Sequence, residues 1–248
     1  MTPPATEPTV EVLPDASALA TRVATELLGH IVAAQASGEE PQIALTGGTI
    51  ADAIHHEVSR LAPSSGVDWS RVGIWWGDER FVAADSPDRN AGQARAALLD
   101  QVPIPADQVH EVPASDQAAD PDAAAAAYST EVRAFGGGEF AVLMLGVGPD
   151  GHIASLFPGF PQVEIEDKIA VGVTGSPKPP PERVSLTLPA LNHSRAVWFV
   201  ASGEGKAAAV AGALDPSAED PLPAARVHGR VETVWFLDAA SAGDLSNP

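Results

Sequence analysis

Two kinds of hydrophobic pattern alternate along this chain. Over residues 15 to about 37 an apolar side chain recurs at every fourth position, at Leu19, Val23, Leu27 and Ile31, and Gly38 follows as a stop. That spacing predicts an amphipathic helix. A short apolar run, Gln42-Ile43-Ala44-Leu45, then breaks at Thr46-Gly47-Gly48-Thr49 and gives way to a helical repeat carrying Ile54, Val58 and Leu61. The unit reads strand, glycine turn, helix. It returns at residues 72–76, which run into Gly77-Asp78-Glu79-Arg80, a polar loop to Asn90 and a helix through Leu99. Residues 140–145 run into Gly146-Val147-Gly148-Pro149-Asp150-Gly151-His152, and residues 197–201 into Ser202-Gly203-Glu204-Gly205-Lys206. Between the second and third of these units, a helix is predicted around residues 121–135, where consecutive alanines supply strong propensity.

Strands that alternate with helices predict an α/β fold, a mostly parallel sheet flanked by helices, with ligands bound beyond the carboxyl ends of the strands. The unusual residues sit at four strand-to-turn junctions, so those junctions are expected to line one crevice. The proline-rich stretch at residues 177–181 is short and leads straight into Val184-Ser185-Leu186-Thr187, and it reads as a surface loop rather than a linker. One domain spanning residues 1–248 is expected, with residues 1–10 and 240–248 frayed.

Composition narrows the class. With 248 residues and 45 % apolar side chains the chain can build a full core. Lys and Arg number 14 against 33 Asp and Glu, a formal charge of −19, so the surface as a whole repels polyanions. That argues against a nucleic acid or an anionic membrane as partner. A small anionic substrate stays compatible if a few basic residues converge in one cleft. Zero Cys removes disulfides, thiolate metal sites and cysteine nucleophiles together. The first residues carry neither a basic nor an apolar segment of a secretory signal, and no apolar run is long enough to span a bilayer. A cytoplasmic location is expected.

The junctions carry the candidate chemistry. Gly146-Val147-Gly148-Pro149-Asp150-Gly151 satisfies the spacing of a dinucleotide fingerprint, but Pro149 lacks a backbone donor and Asp150 would face a pyrophosphate with the wrong charge. A glycine turn presenting Asp150 and His152 is the better reading. Gly205-Lys206 ends like a phosphate-binding loop, yet Val200 stands where the first glycine is required and Ala207 replaces the magnesium-binding hydroxyl. Lys206 at a helix start is still a seat for a phosphate monoester, and Thr46-Gly47-Gly48-Thr49 offers backbone amides and hydroxyls at another. Gly77-Asp78-Glu79-Arg80 places three charges directly after two tryptophans, where charge is costly unless paired or used. No metal-ligand spacing survives: His56-Glu57 and His110-Glu111 both lack the second histidine of a zinc helix. There is no serine elbow, so Ser155 is expected to be a helix residue and any hydrolysis to use activated water.

Taken in order, Leu45-Thr46-Gly47-Gly48-Thr49, Trp76-Gly77-Asp78-Glu79-Arg80, Ser86-Pro87-Asp88-Arg89-Asn90, the segment from Leu145 through Gly148-Pro149-Asp150-Gly151-His152-Ile153-Ala154-Ser155-Leu156-Phe157-Pro158-Gly159, and Gly205-Lys206 resemble the 6-phosphogluconolactonases. The resemblance spans nearly the whole chain. It implies a modified Rossmann-like fold, hydrolysis of 6-phosphogluconolactone to 6-phosphogluconate in the pentose phosphate pathway, and no metal or other cofactor. A monomer acting on a phosphosugar lactone is expected. The related glucosamine-6-phosphate deaminases share the Gly-Pro-Asp-Gly-His core but carry a glutamate five residues after the histidine, where this chain has Phe157. A non-catalytic sugar-phosphate sensor would have lost a catalytic candidate or gained a DNA-binding helix, and neither is found. Arg89 departs from the small or polar residue common at that place.

On this reading His152 deprotonates water and returns the proton to the ring oxygen, with Asp150 or Asp78 orienting its imidazole. Arg80 binds the phosphate or steadies the oxyanion. Lys206 and the amides of Gly47 and Gly48, beside Thr46, are the first choice for the phosphate, with Arg183 a second-rank ligand.

Overall fold

The computed structural model describes residues 7–135 and 138–246 and contains the predicted alternation. Strand β1 (Thr9–Leu13) leads into helix α1 (Ala16–Ala36), strand β2 (Gln42–Leu45), helix α2 (Thr49–Ser65) and strand β3 (Gly73–Trp76). Strand β4 (Asp78–Arg80), helix α3 (Asn90–Ala97), helix α4 (Pro121–Phe135) and strand β5 (Val142–Gly146) follow. Then come strands β6 (Ala170–Val173) and β7 (Arg183–Leu186), the short helix α5 (Leu188–Leu191), strand β8 (Ala196–Ala201), helix α6 (Ala207–Leu214), strand β9 (Glu232–Asp238) and the one-turn helix α7 (Ala239–Ala242).

Six strands form one parallel sheet in the order β1-β9-β8-β5-β2-β3. Its central strands are apolar on both faces, as a parallel sheet covered on both sides requires: all six residues of β8 are buried. The two faces can be read from the period of two along each strand. Ile43, Leu45, Trp198 and Val200 pack on the α1 side with Leu19, Val23, Leu27 and Ile31, whereas Ala44, Val197 and Phe199 face Tyr128 and Val210. Each of those α1 side chains is at most 2 % exposed, and burying one contributes roughly 1.5–3 kcal/mol. Asp15 caps α1 by accepting from the Ala18 amide at 2.8 Å.

From β2 the chain steps to β3 on one side; the later strands β5, β8 and β9 build out on the other. The order reverses between β2 and β5. A parallel sheet leaves a crevice at that point, beyond the carboxyl ends, and the turns after β2 and β5 are the Thr46 and Gly146 junctions.

Three expectations need correction. Residues 78–80 are a strand and not a loop: β4 pairs antiparallel with β7, which pairs with β6, so a second, three-stranded sheet stands beside the first. The chain changes sheets at Gly77, whose N–H donates to Leu45 O at 3.1 Å while its carbonyl accepts from the Leu186 amide at 2.9 Å. Thr9 and Val10, placed within a frayed end, pair with Val234 and Trp235 of β9. Residues 240–246 likewise form structure: Asp238 and Ser241 cap α7 reciprocally, and Ser241 and Ala242 are buried. Among the described residues no helix is long and apolar enough to cross a membrane.

Candidate active site

A cavity of about 650 Å³ opens at the switch point and is lined by all four junctions. Among the described residues, the basic side chains of Arg80, Lys178, Arg183 and Lys206 line it together with the carboxylate of Asp78. In a chain of charge −19, that is a local reversal of sign.

The turn after β5 is built around a close approach. The Gly148 amide donates to His152 O at 2.8 Å, and the Gly151 amide to Gly148 O at 2.9 Å. This folds the loop back so that His152 Nδ1 lies 2.5 Å from Asp150 Oδ1. A Cβ on Gly148 would come within 2.0 Å of that nitrogen and 2.5 Å of the Asp150 oxygen, so glycine is needed for the pair to close. A carboxylate only accepts, which places the proton on Nδ1 and leaves the Nε2 lone pair as the basic site. Among the described residues Nε2 has no hydrogen-bond partner.

Burial pushes the His152 imidazole below its ordinary range, against Asp150, and the Lys178 charge pushes the same way. Burial alone would raise Asp150, but the His152 hydrogen bond and the His152 and Lys178 charges outweigh it and hold that carboxyl low. The resting state is an Asp150 carboxylate beside a neutral imidazole. Between the two candidate orienting groups, the geometry brings Asp150 to His152. Asp78 turns elsewhere: Oδ2 accepts from Ser155 Oγ at 2.6 Å and lies 4.0 Å from Arg183 Nη1. Ser155 is fully buried in a turn, not in a helix as its position suggested, because the chain from residue 151 to 160 runs as successive tight turns. Ala154 within it takes φ +47°, a left-handed conformation rare outside glycine.

At the β2 junction Gly48, with φ +102°, opens α2, and residues 46–50 line the cavity. Thr46 Oγ1 accepts from the Gly146 amide at 3.2 Å and ties this turn to the His152 turn. Lys206, just before α6, donates from Nζ to Val147 O at 2.7 Å, and burial together with Lys178 pushes its ammonium below the usual lysine range. Arg80 ends β4 directly opposite Arg183 of β7, and its Nη1 donates to Asp88 O at 2.8 Å.

The charges after the two tryptophans are used. Glu79 is 1 % exposed and accepts from the amides of Arg80, Asn90 and Ala91 at 2.7–2.9 Å, which caps α3. Asn90 Nδ2 in turn donates to Asp78 O. Arg89, the departure noted above, is 1 % exposed, donates to Val112 O at 2.7 Å and faces Glu79 and Glu111 at 3.8 and 3.6 Å. It supports the loop from behind and is absent from the cavity lining.

Residues 14–235 match the family model described as glucosamine-6-phosphate isomerases/6-phosphogluconolactonase. The chain belongs to this family. A 6-phosphogluconolactonase of Streptomyces coelicolor is 45 % identical over 240 residues, covering 93 % of this chain and 92 % of that one. The human 6-phosphogluconolactonase is 41 % identical over 216 residues, 83 % and 81 % of the two chains. A crystal structure of 6-phosphogluconolactonase from Thermotoga maritima superposes with a TM-score of 0.81 at 27 % identity, covering 93 % of this chain and 99 % of that one. Phe157 stands five residues after His152 in this chain. Its ring centroid lies 4.5 Å from that of His152, so on that side the imidazole packs against an apolar ring.

The junction residues named from the sequence converge in or beside this cavity. Lys178 was missed, because a lysine inside a proline run carries no local signal of its distant neighbours. Its ammonium reaches His152 Nδ1 at 3.4 Å.

Proposed function

We propose that this chain is a 6-phosphogluconolactonase, opening 6-phospho-D-glucono-1,5-lactone to 6-phospho-D-gluconate in the oxidative branch of the pentose phosphate pathway. The observation that carries the reading is the His152–Asp150 pair, at 2.5 Å, with His152 lining a cavity rich in cations. A phosphorylated lactone needs a base for water, a place for negative charge and an anion seat, and the cavity supplies groups of each kind.

Water bound at Nε2 gives up its proton to His152 as its oxygen attacks the lactone carbonyl, while Asp150 holds Nδ1–H. The tetrahedral oxyanion then collapses, the bond from C1 to the ring oxygen breaks, and the imidazolium returns the proton to that oxygen. No metal or cofactor enters these steps. Lys206, with Thr46 and the amides of Gly47 and Gly48, holds the phosphate. Arg80 serves either the phosphate or the oxyanion, and Asp78 shapes the cavity through Ser155 and Arg183. The protein acts as a cytoplasmic monomer of one domain.

The test follows 6-phosphogluconate formation from freshly generated lactone, coupled to its dehydrogenase, with chelator present. Wild type should exceed the uncatalysed blank, and His152→Ala should lose about 10²- to 10⁴-fold in kcat. A wild type that only matches the blank ends the lactonase reading, and ammonia release from glucosamine 6-phosphate becomes the next assay.

A further inference from the structure

Lys178 occupies a costly position. Its side chain is 38 % exposed, so rotation of the four-carbon stem would carry the ammonium into water. Instead the ammonium lies 3.4 Å from His152 Nδ1, a donor in the resting state, and 3.7 Å from Asp150 Oδ1. The backbone beneath it is unusual. Residues 177–181 hold four prolines around Lys178, and a proline has no N–H with which to brace a turn. The missing donors come from one side chain. Arg183 donates from Nε to Pro180 O and from Nη2 to both Lys178 O and Pro179 O, each at 3.2 Å. Ser176 adds its hydroxyl to Lys178 O at 3.0 Å and its amide to Pro181 O at 3.0 Å. Arg183 is itself 5 % exposed and fixed in β7. With Nε and Nη2 committed to the loop and Nη1 facing Asp78, it is poorly placed to clasp a phosphate.

We propose that Lys178 is a working part of the His152–Asp150 centre, and that Arg183 is the positioning residue that holds it there. The inference rests on His152 as the proton-transfer residue. Four charged groups bear on that centre. Asp150 and Asp78 favour the imidazolium, Lys178 opposes it, and Lys206, whose ammonium sits on Val147 O of the same turn, acts on Lys178 and Asp150. Lys178 therefore adds to burial in keeping the resting imidazole neutral. It also makes the imidazolium formed during the reaction a better acid toward the leaving ring oxygen.

Without the ammonium, Asp150 and Asp78 act unopposed and His152 holds its proton to higher pH. A full charge within 4–6 Å moves a titration by about 1–3 units, and the exposure of Lys178 reduces this to about 0.5–1 unit. The experiment is an NMR titration of the His152 ring in wild type, Lys178→Gln, Lys178→Arg, Arg183→Gln and the double variant Lys178→Gln/Arg183→Gln, with kcat/KM followed over the same pH range. Lys178→Gln should raise the midpoint by about 0.5–1 unit and move the acid limb of kcat/KM with it, while Lys178→Arg stays near wild type. Arg183→Gln should move the midpoint the same way, and the double variant no further than the larger single change. An unmoved or lowered midpoint in Lys178→Gln overturns the proposal. A shift in Lys178→Gln that Arg183→Gln does not share overturns the positioning half. Should Arg183→Gln fail to fold, Arg183→Lys, which cannot reach three carbonyls, takes its place. The ring titration needs no substrate, so its failure is distinct from failure of the lactonase assay.

Discussion

The two ends of the parallel sheet treat their cations differently. At the amino end basic side chains meet carboxylates: Arg195 lies 2.8 Å from Glu39, and Arg230 lies 2.5 Å from Glu139. At the carboxyl end Lys206 and Arg80 hydrogen-bond to the neutral carbonyls of Val147 and Asp88, and their charge is left to act across the cavity. Exposed ion pairs such as those at the amino end are each worth about 0–1 kcal/mol. Lys206 and Arg80, bound to carbonyls, instead leave a positive field in the cavity. Net charge thus says little about what a protein binds; the partners of each cation say more.

The largest test of this contrast removes the space that the His152–Asp150 pair occupies. Gly148→Ala drives a methyl into His152 Nδ1 and should lower kcat at least ~10²-fold while costing about 1–3 kcal/mol of stability, read by steady-state kinetics and urea melts. Near-normal turnover would show that the pair need not close.

Acid separates the scaffold from the cavity. His55, wholly buried in α2 with Nε2 unpartnered, is pushed by burial down to about 4, against about 6.5 in the unfolded chain. Between those values the unfolded state binds the extra proton, so stability is present above pH 6.5 and falls as pH drops through 4. The change is on the order of 3 kcal/mol. His55→Leu should flatten that part of the urea-unfolding profile and leave the acid limb of kcat/KM in place. An unchanged slope would assign the acid sensitivity elsewhere.

The smallest expected effects compare one cation from each end. Lys206→Ala should raise KM about 10- to 100-fold with kcat little altered, the signature of a uniform anion contact. Arg195→Ala should change kinetics less than about twofold and stability by less than about 1 kcal/mol. Equal kinetic losses in the two would erase the distinction between the ends.

Much of this arrangement is legible before any coordinates. Four of the six parallel strands, β2, β3, β5 and β8, announce themselves as apolar runs stopped by glycine, whereas β1 and β9 do not, and the order of those four already implies a crevice where the junctions meet. The second sheet is harder to see. Strands β4, β6 and β7 have three or four residues each, too few for a period of two to register, and their pairing joins Asp78 to Ser185 across the chain. Spacing alone could not choose between Asp78 and Asp150, since both follow strands that end beside the cavity. The fold of a single glycine turn makes that choice. Lys178 and Ser155 stayed hidden for the same reason: their partners lie 26 and 77 positions away.

Strand β1 has a consequence for how the molecule is made. Of the described strands it leaves the ribosome first, yet its neighbour in the sheet is β9, the last to emerge, with Thr9 paired to Val234. Until β9 arrives, Thr9–Leu13 has no edge to join, and the rest of the sheet grows from its β2–β3 edge through β5 and β8. A ribosome that stalls before β9 therefore leaves β1 without its partner and β8 as an open edge.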